Sequence, residues 1–164
     1  MNRPKIELEK DTLDLFVEAT GVVLLLALIV LPIVFYSQLP EKIPTHFGAD
    51  GTADNYGSKD SIWFLPVIGT ILFVGMFILN KHPHIFNYPT RITVDNAKRQ
   101  YKNATKLIRF LNTTVVLVFT YITFSTINIA LGKQEGLGTY FLLAFLALVF
   151  VPVVYHLFKA FPKK

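Results

Sequence analysis

The stretch LPEKIPTHFGADGTADNYGSK, residues 39–59, holds the residue types that could bind a metal ion. His46, Asp50 and Asp54 follow one another at intervals of four. An EF-hand calcium loop alternates acidic ligands and ends with a bidentate glutamate, and this pattern is missing here. A transition-metal site needs a fuller ligand set than one histidine and two aspartates. We therefore expect no metal: the aspartates should bond to turn backbone, and His46 should pack against Phe47 and Tyr56.

The same stretch has the features of an ordered loop. Pro40 and Pro44 favour extended backbone before them, and Gly51 can take the positive φ of a tight turn. Two extended pieces, residues 43–47 and 52–56, are expected to fold back on each other as an ordered lid. A connection longer than about 12–15 residues is usually functional or disordered, and the specific turn residues favour function. The candidate binding residues are His46, Phe47, Asp50, Asp54, Tyr56 and Lys59.

A second group of candidates lies between residues 80 and 110. The irregular segment KHPHIFNYPT contributes His84, Asn87 and Tyr88, and its alternating histidines should point apart, which disfavours a shared metal. From Thr93, a good N-cap, a helix should run without a breaker into the next apolar segment. Its basic face, which includes Lys98 and Lys102, is typical of a segment at an anionic lipid surface. Such a face binds lipid headgroups or a cytoplasmic partner, or it only anchors the topology.

A third group is a polar stripe in the third apolar run. Thr114, Tyr121, Ser125 and Asn128 recur at intervals of seven, four and three, which places them on one helical face. Hydroxyls at this spacing bond back to their own helix or across to a neighbouring helix. We expect this face to point into the bundle, either as packing between helices or as one wall of a polar cavity.

Four apolar runs must position these residues. A helix crosses a bilayer with about 17–25 apolar residues, and none of the four runs contains Asp, Glu, Lys or Arg. Soluble helices of this length would each carry a charged stripe. The sequence therefore predicts an all-α integral membrane four-helix bundle, a single domain over residues 1–164. The expected spans are residues 19–36, 62–79, 111–131 and 137–158, with loops at 37–61 and 80–110 and a short interfacial helix within 1–18.

The distribution of basic residues predicts the orientation. Of the 16 lysines and arginines, thirteen lie in the two tails and the second connection, and three lie in the first and third connections. Because basic residues concentrate on the cytoplasmic side, both termini should be cytoplasmic and residues 37–61 should face outward. The net charge of +5 follows from this sidedness, so it does not require a nucleic-acid partner.

Several chemistries are disfavoured by what the sequence lacks. It contains no cysteine, which excludes disulfides and thiol catalysis. It has no zinc-protease helix, nucleophile elbow or phosphate-binding loop, and the four apolar runs carry no charge for proton or ion coupling. We expect a protein that is not an enzyme and uses no cofactor.

The loop over residues 39–59 also resembles a known membrane family, domain of unknown function 1648 (DUF1648). The matching motif positions are Leu39, Pro40, Ile43, Pro44, His46, Phe47, Gly51, Asp54, Tyr56, Gly57, Ser58 and Lys59, and Phe86-Asn87-Tyr88-Pro89 resembles a later motif. The resemblance extends to the SdpI-like immunity proteins, which are multi-span membrane proteins that protect a cell from its own secreted peptide toxin. It implies a cell-membrane protein that senses or resists a membrane-active peptide, with that peptide or a membrane protein as its partner. A small-solute permeability pathway and an accessory role in a larger membrane complex remain the alternatives.

Overall fold

The computed structural model describes residues 3–161, in which four long helices and one small β-hairpin follow one another. The helices are α1 (Thr12–Phe35), α2 (Phe64–Leu79), α3 (Val94–Ala130) and α4 (Phe141–Ala160). The hairpin, β1 (Lys42–Phe47) and β2 (Ala53–Ser58), connects α1 to α2. Each helix, with the 3-10 turns that extend α1 and α2, is long and apolar enough to cross a membrane. The predicted all-α bundle is confirmed. We call its two ends the hairpin end and the tail end.

The first helix begins before the predicted span, at a well-defined cap. Asp11 caps α1 and accepts a hydrogen bond from the Asp14 backbone N–H at 3.0 Å, while the Asp14 carboxylate accepts one from the Asp11 N–H. This reciprocal capping box starts the helix at Thr12. Residues 3–11 are not helical. The expected helix within residues 1–18 that leads into the first span is therefore present from Thr12 onward, and it is continuous with that span.

Helix α3 is the longest element and continues from the basic segment into the third span, as predicted. Thr93 caps it in a capping box with Asn96. Its 37 residues extend over about 55 Å, which exceeds the roughly 30 Å hydrocarbon core of a bilayer. The first turns of α3 must therefore project beyond the apolar layer at the tail end.

Helix α1 runs parallel to α3 in constant register. The hydroxyl of Thr113 donates to the carbonyl of Val17 at 3.0 Å, and the hydroxyl of Thr120 donates to that of Leu24 at 3.1 Å. Both pairs are separated by 96 positions in the chain, so the two helices advance together in the same direction. We call this contact the α1–α3 seam. Threonines of the third span were expected to bond back or across helices, and here they do.

Helix α2 is joined to α3 by the side chains of two asparagines. The Asn112 amide donates to the Phe73 carbonyl at 3.1 Å, and the Asn80 amide donates to the Thr105 carbonyl at 3.2 Å. One hydrogen bond is donated by α3 to α2 and the other by the end of α2 to α3, and the two helices are antiparallel. These hydrogen bonds hold α2 and α3 together at the tail end, where α2 finishes.

Helix α4 flanks the other three helices and packs chiefly against α3. At the tail end, Gln100 donates to the Ala160 carbonyl at 2.7 Å and Asn103 donates to the His156 carbonyl at 2.8 Å. No residue in the apolar window of α4 is buried inside the protein. The bundle is therefore a group of three packed helices, α1, α2 and α3, with α4 attached to the outer side of α3.

The hairpin sits over the end of the bundle. Its strands pair antiparallel, with irregular register on both sides of His46, which agrees with the two expected extended pieces. Ile43 is fully buried and packs with Leu39, Ile62 and Ile127, so the base of the hairpin belongs to an apolar core shared with α3. This core fixes the hairpin as an ordered cap.

The hairpin turn is also tied to the connection between α3 and α4. The Leu137 N–H donates to the Gly51 carbonyl at 2.7 Å, and Thr52 pairs with Gly136 as an isolated β-bridge. Gly51 has φ 81°, which a glycine adopts without strain. A Cβ placed on Gly136 would lie 2.5 Å from the Gly51 carbonyl oxygen. This position therefore needs glycine because two backbones approach closely.

We predict that Gly136→Ala loosens this tether and lowers the free energy of unfolding by about 1–3 kcal/mol, the usual cost of overpacking. Thermal unfolding in detergent measures the effect. Gly75→Ala is the matched control, because a Cβ at Gly75 meets nothing within 4 Å. Equal stability of the two variants would show that the close approach does not constrain the hairpin.

Candidate functional site

A cavity of about 880 Å³ lies beneath the hairpin, between β1, the first turns of α2, α3 and the start of α4. Its wall is mostly aliphatic and aromatic, formed by Ile43, Pro44, Phe47, Ile62, Trp63, Phe64, Leu65, Val67, Ile122, Leu137 and Phe141. Its polar lining consists of Thr45, His46, Asp60, Ser61, Thr123 and Thr126. We call this space the hairpin-end cavity. It can accommodate an apolar group while presenting polar side chains to the rest of the same molecule.

The hairpin positions His46 at the rim of the cavity. The irregular register beside this residue brings its ring to Asp54 on the facing strand, with His46 Nδ1 at 2.6 Å from Asp54 Oδ1. The His46 side chain is 68% exposed. The expected packing of His46 against Phe47 and Tyr56 is therefore wrong, because the imidazole is bonded to the Asp54 carboxylate and remains exposed to solvent.

Asp50 shapes the turn, as predicted. Its Oδ1 accepts from the Thr52 backbone N–H at 3.0 Å and from the Thr52 hydroxyl at 2.8 Å. These hydrogen bonds favour the carboxylate and lower the pKa of Asp50. Asp54, by contrast, bonds to His46 instead of turn backbone.

Of the six outer candidates, only His46 and Phe47 line the cavity. Tyr56 is exposed on β2. The Lys59 ammonium lies 2.8 Å from a carboxylate oxygen of Glu41, so Lys59 closes the base of the hairpin. The loop thus contributes a rim, while most of the wall comes from the helices.

The polar stripe of α3 does not line the hairpin-end cavity. Thr114 is buried in packing, and the Tyr121 hydroxyl donates to the Leu137 carbonyl at 2.7 Å. Ser125 is fully buried and accepts a hydrogen bond from Gln134, while the Asn128 amide bonds back to its own helix. The packing interpretation describes these four residues better than the cavity interpretation.

Sequence reasoning missed the polar residues of α3 that line the cavity, Thr123 and Thr126. Thr123 is 1% exposed, and its hydroxyl has no hydrogen-bond partner among the described residues. Their spacing of three residues puts them on one face, but only the position of the hairpin turns that face into a cavity wall.

A buried ion cluster at the tail end was also missed. The Arg109 guanidinium donates from Nη1 to Asp14 at 2.7 Å and from Nε to Glu18 at 2.8 Å. Lys106 lies 2.6 Å from Asp11, and Lys10 lies 2.6 Å from Glu18. The four expected spans carry no charge, but Arg109, Asp14 and Glu18 lie just outside their predicted ends and are drawn into the bundle.

This cluster changes the interpretation of the basic helix. Lys102 lies 3.6 Å from Asp11, and Lys106 and Arg109 also face acidic residues of α1. The expected uniform basic face is therefore largely used within the chain, whereas Lys98 is exposed. A signal was present in the sequence: residues 11, 14 and 18 are spaced by three and four, and residues 102, 106 and 109 by four and three.

The inner motif forms a cap over the tail end. The Arg3 guanidinium donates to the carbonyls of His84, at 3.1 Å, and Phe86, and it lies 5.5 Å from the centroid of the Tyr88 ring. The Tyr88 hydroxyl donates to the Pro83 carbonyl at 2.8 Å. Burial raises the pKa of Tyr88.

The other two inner candidates, His84 and Asn87, lie in different surroundings. The rings of His82 and His84 lie edge to face at 6.0 Å. The expectation that these histidines point apart is therefore wrong, because Pro83–Ile85 forms a 3-10 turn instead of an extended segment. Asn87 is exposed. Within residues 3–161, no three histidine, aspartate or glutamate side chains come together as metal ligands.

Next to the ion cluster lie two adjoining spaces of about 330 and 300 Å³. They share Glu18, Phe77, Asn80 and Arg109 in their linings, and the deeper one reaches Asn112 between α1 and α2. We call the pair the tail-end crevice. The outer space is lined largely by charged residues, and the deeper space is lined mainly by apolar side chains of α1 and α2.

Comparison with known proteins supports the resemblance seen in the loop. Residues 23–70 match the model of a family described as Domain of unknown function (DUF1648), which confirms that resemblance over most of α1, the hairpin and the first turns of α2. An uncharacterized protein of Archaeoglobus fulgidus is 38% identical over 66 residues, which cover 35% of this chain and 36% of that relative. The chain thus matches about a third of the length of this curated relative. No solved structure matches significantly.

We predict that Arg109→Gln destabilises the protein by about 3–5 kcal/mol, because it leaves the buried carboxylate of Asp14 without its guanidinium partner and removes one of the two cations that pair with Glu18. Thermal unfolding in detergent gives the loss. The triple variant Arg109→Gln, Asp14→Asn, Glu18→Gln should recover part of it, because no uncompensated charge remains. Lys98→Gln, an exposed change on the same helix, is the control. A triple variant less stable than Arg109→Gln alone would contradict the account.

A second prediction concerns Asp11. Its hydrogen bond from Lys106, with one from the Asp14 backbone, lowers its pKa from 3.8 to about 2. The lowered pKa in the folded state means that the carboxylate stabilises the fold above pH 3.8, and that this contribution is lost as the pH falls through about 2. Lys106→Gln should shift the midpoint of an NMR titration of Asp11 upward toward 3.8, and Lys98→Gln should leave it in place. An unchanged midpoint in Lys106→Gln would show that Lys106 does not hold the carboxylate.

Proposed function

We propose that this chain is a small multi-pass protein of the cell membrane whose hairpin-end cavity binds a cationic amphipathic peptide, and that it thereby senses or resists a membrane-active peptide. Both termini lie in the cytoplasm in this proposal, because most basic residues are at the tail end. The observation that carries it is the cavity of about 880 Å³ beneath the hairpin, with an apolar wall and a polar rim that includes Asp60.

The size and lining of the cavity suit an amphipathic ligand. Ligand pockets usually measure about 300–1,000 Å³ and combine apolar walls with a few placed polar groups. Here Leu65 and Val67 line the part nearest the apolar layer, while His46 and Asp60 lie toward the hairpin. Trp63 stands between these two regions, at the level where tryptophan marks the membrane interface. A ligand lying in that interface could insert an apolar side chain without leaving the headgroup region.

The charge of the hairpin end favours a cationic partner. Residues 37–63 and 131–140, which form the connections at this end, contain five acidic and three basic residues. Membrane-active amphipathic helices carry lysine and arginine on one face and apolar residues on the other. The apolar wall is complementary to the apolar face, and Asp60 in the lining, with the acidic excess of these connections, is complementary to the basic face. Complementary charge steers such a peptide to the site and fixes its orientation.

The motif of residues 39–59 supports the same role. Its resemblance to the SdpI-like immunity proteins implies a response to a secreted peptide, and the hairpin that carries this motif roofs the cavity. We propose a binding role without catalysis or a cofactor. The His46–Asp54 pair at the rim then serves to hold the imidazole toward the ligand.

Filling the cavity should abolish peptide binding. Ile122→Trp places a larger side chain into the cavity wall from α3, and Ile71→Trp makes the same exchange at an exposed position outside it. The probe is a synthetic cationic amphipathic helical peptide, and its binding to the protein in nanodiscs is measured by fluorescence anisotropy. We expect binding to the wild type and to Ile71→Trp and a loss of at least about tenfold in Ile122→Trp, corresponding to 1.4 kcal/mol. Equal peptide binding by the two variants would show that the hairpin-end cavity is not the binding site.

The rim charge is tested by Asp60→Asn, which removes one negative charge from the cavity lining. Glu135→Gln removes a charge from the same end at an exposed position that does not line the cavity. We expect weaker peptide binding, and a smaller salt dependence, in Asp60→Asn than in Glu135→Gln. If both variants weaken binding alike, the net charge of the surface attracts the peptide and the rim does not select it.

A further inference from the structure

The hairpin-end cavity and the tail-end crevice lie at different heights along the same helix. The cavity reaches α3 at Thr123, and the crevice reaches it at Asn112. Eleven residues of α-helix separate these positions, which is about 16 Å along the helix axis. Both spaces are also lined by α2, which packs against this stretch of α3. They approach each other from opposite ends of the bundle along α2 and α3, and the crevice is also lined by α1.

A small apolar cluster separates the two spaces. Leu28, Phe73 and Val116 are buried against one another, and we call these three side chains the apolar plug. Phe73 also lines the crevice, while Leu65, which packs against the plug, lines the cavity. The barrier between the spaces is therefore an apolar packing region of about three helical turns, centred on these three side chains.

Unpartnered polar atoms lie on both sides of the plug. The hydroxyl oxygen of Thr123, on a residue 1% exposed, has no hydrogen-bond partner among the described residues, and neither has the carbonyl oxygen of Asn112, on a residue 6% exposed. The Asn80 carbonyl oxygen, which also faces the crevice, is likewise without one. A buried polar atom without a partner is costly in water and more so within lipid. Each space has room for several waters, at about 30 Å³ each, that supply the missing hydrogen bonds.

We infer that the two spaces are water-filled vestibules of one permeation path, closed in this structure by the apolar plug. Hydrophobic constrictions close such paths by excluding water, and they open when the constriction widens or becomes polar. The solutes that fit are water and small uncharged molecules that donate hydrogen bonds. The free groups beside the plug are carbonyl and hydroxyl oxygens, and the charge of Arg109 is offset by Asp14 and Glu18. This path does not depend on peptide binding at the rim.

Thiol labelling tests whether the two vestibules contain water and are accessible to an aqueous reagent. The chain contains no cysteine, so single cysteines can be placed in the wild-type background. In sealed vesicles, Thr123→Cys should react with a membrane-impermeant thiol reagent added at the hairpin end, and Met76→Cys, in the crevice lining, with reagent added at the tail end. Phe124→Cys and Val74→Cys, neighbouring positions with exposed apolar side chains, should stay unlabelled. Vestibule cysteines that react no faster than these controls would overturn the inference.

The plug is tested by the osmotic water permeability of proteoliposomes, followed by stopped-flow light scattering. Val116→Thr keeps the side-chain volume nearly unchanged and adds a hydroxyl to the plug, and Phe73→Ser widens it. We expect a severalfold rise in permeability over the wild type in both variants. Ile127→Ser, a buried position in the other apolar core, should leave it unchanged. The path is refuted if Val116→Thr behaves as the wild type, or if Ile127→Ser leaks as much as the plug variants.

Discussion

The pairing of the Arg109 guanidinium with Asp14 and Glu18 determines how the bundle is assembled. A guanidinium keeps its charge in proteins, so an arginine that is 8% exposed must find carboxylates at the same depth. Asp14 and Glu18 provide them from successive turns of α1. Their pairing sets the height of α1 against α3. The threonine hydroxyls of α3 then reach the carbonyls of α1 further along the seam, where the chain offers no charged group.

Parallel α1 and α3 impose the architecture of the hairpin end. Both helices end there, so α2 starts at the hairpin end and runs back toward the tail end, antiparallel to both. The connection from α1 to α2 therefore begins and ends at the hairpin end of the bundle. Its two strands pair with each other, which satisfies the hydrogen-bonding groups of their backbones. Ile43 anchors the resulting hairpin in the core beside Ile127. The space left between this roof and the first turns of α2 is the cavity, so the cavity is a consequence of the helix order.

Local signals in the sequence predicted what local physics decides. Uncharged runs gave four helices of sufficient length, Thr93 gave the start of α3, and the proline and glycine spacing gave the hairpin. The ion cluster was not predicted because Arg109 and Asp14 are 95 positions apart in the chain. The acidic residues of α1 and the basic residues of α3 nevertheless recur with matching helical spacing. The cavity escaped for a related reason, since Thr123 became a wall residue only when α2 and the hairpin closed around it. Periodicity identifies a face, and only the assembled helices decide what that face meets.

The two proposed roles of the hairpin-end cavity constrain each other. A peptide side chain inserted past Leu65 would occupy the vestibule directly above the apolar plug, because Leu65 both lines the cavity and packs against the plug. Bound peptide would therefore exclude water from that vestibule and keep the path shut, so peptide binding and permeation would compete. The strength of this competition has a thermodynamic limit: a ligand shifts the closed and open states only by its difference in affinity for them. A peptide that inserts equally well in both states would be held by the cavity without reporting anything to the tail end.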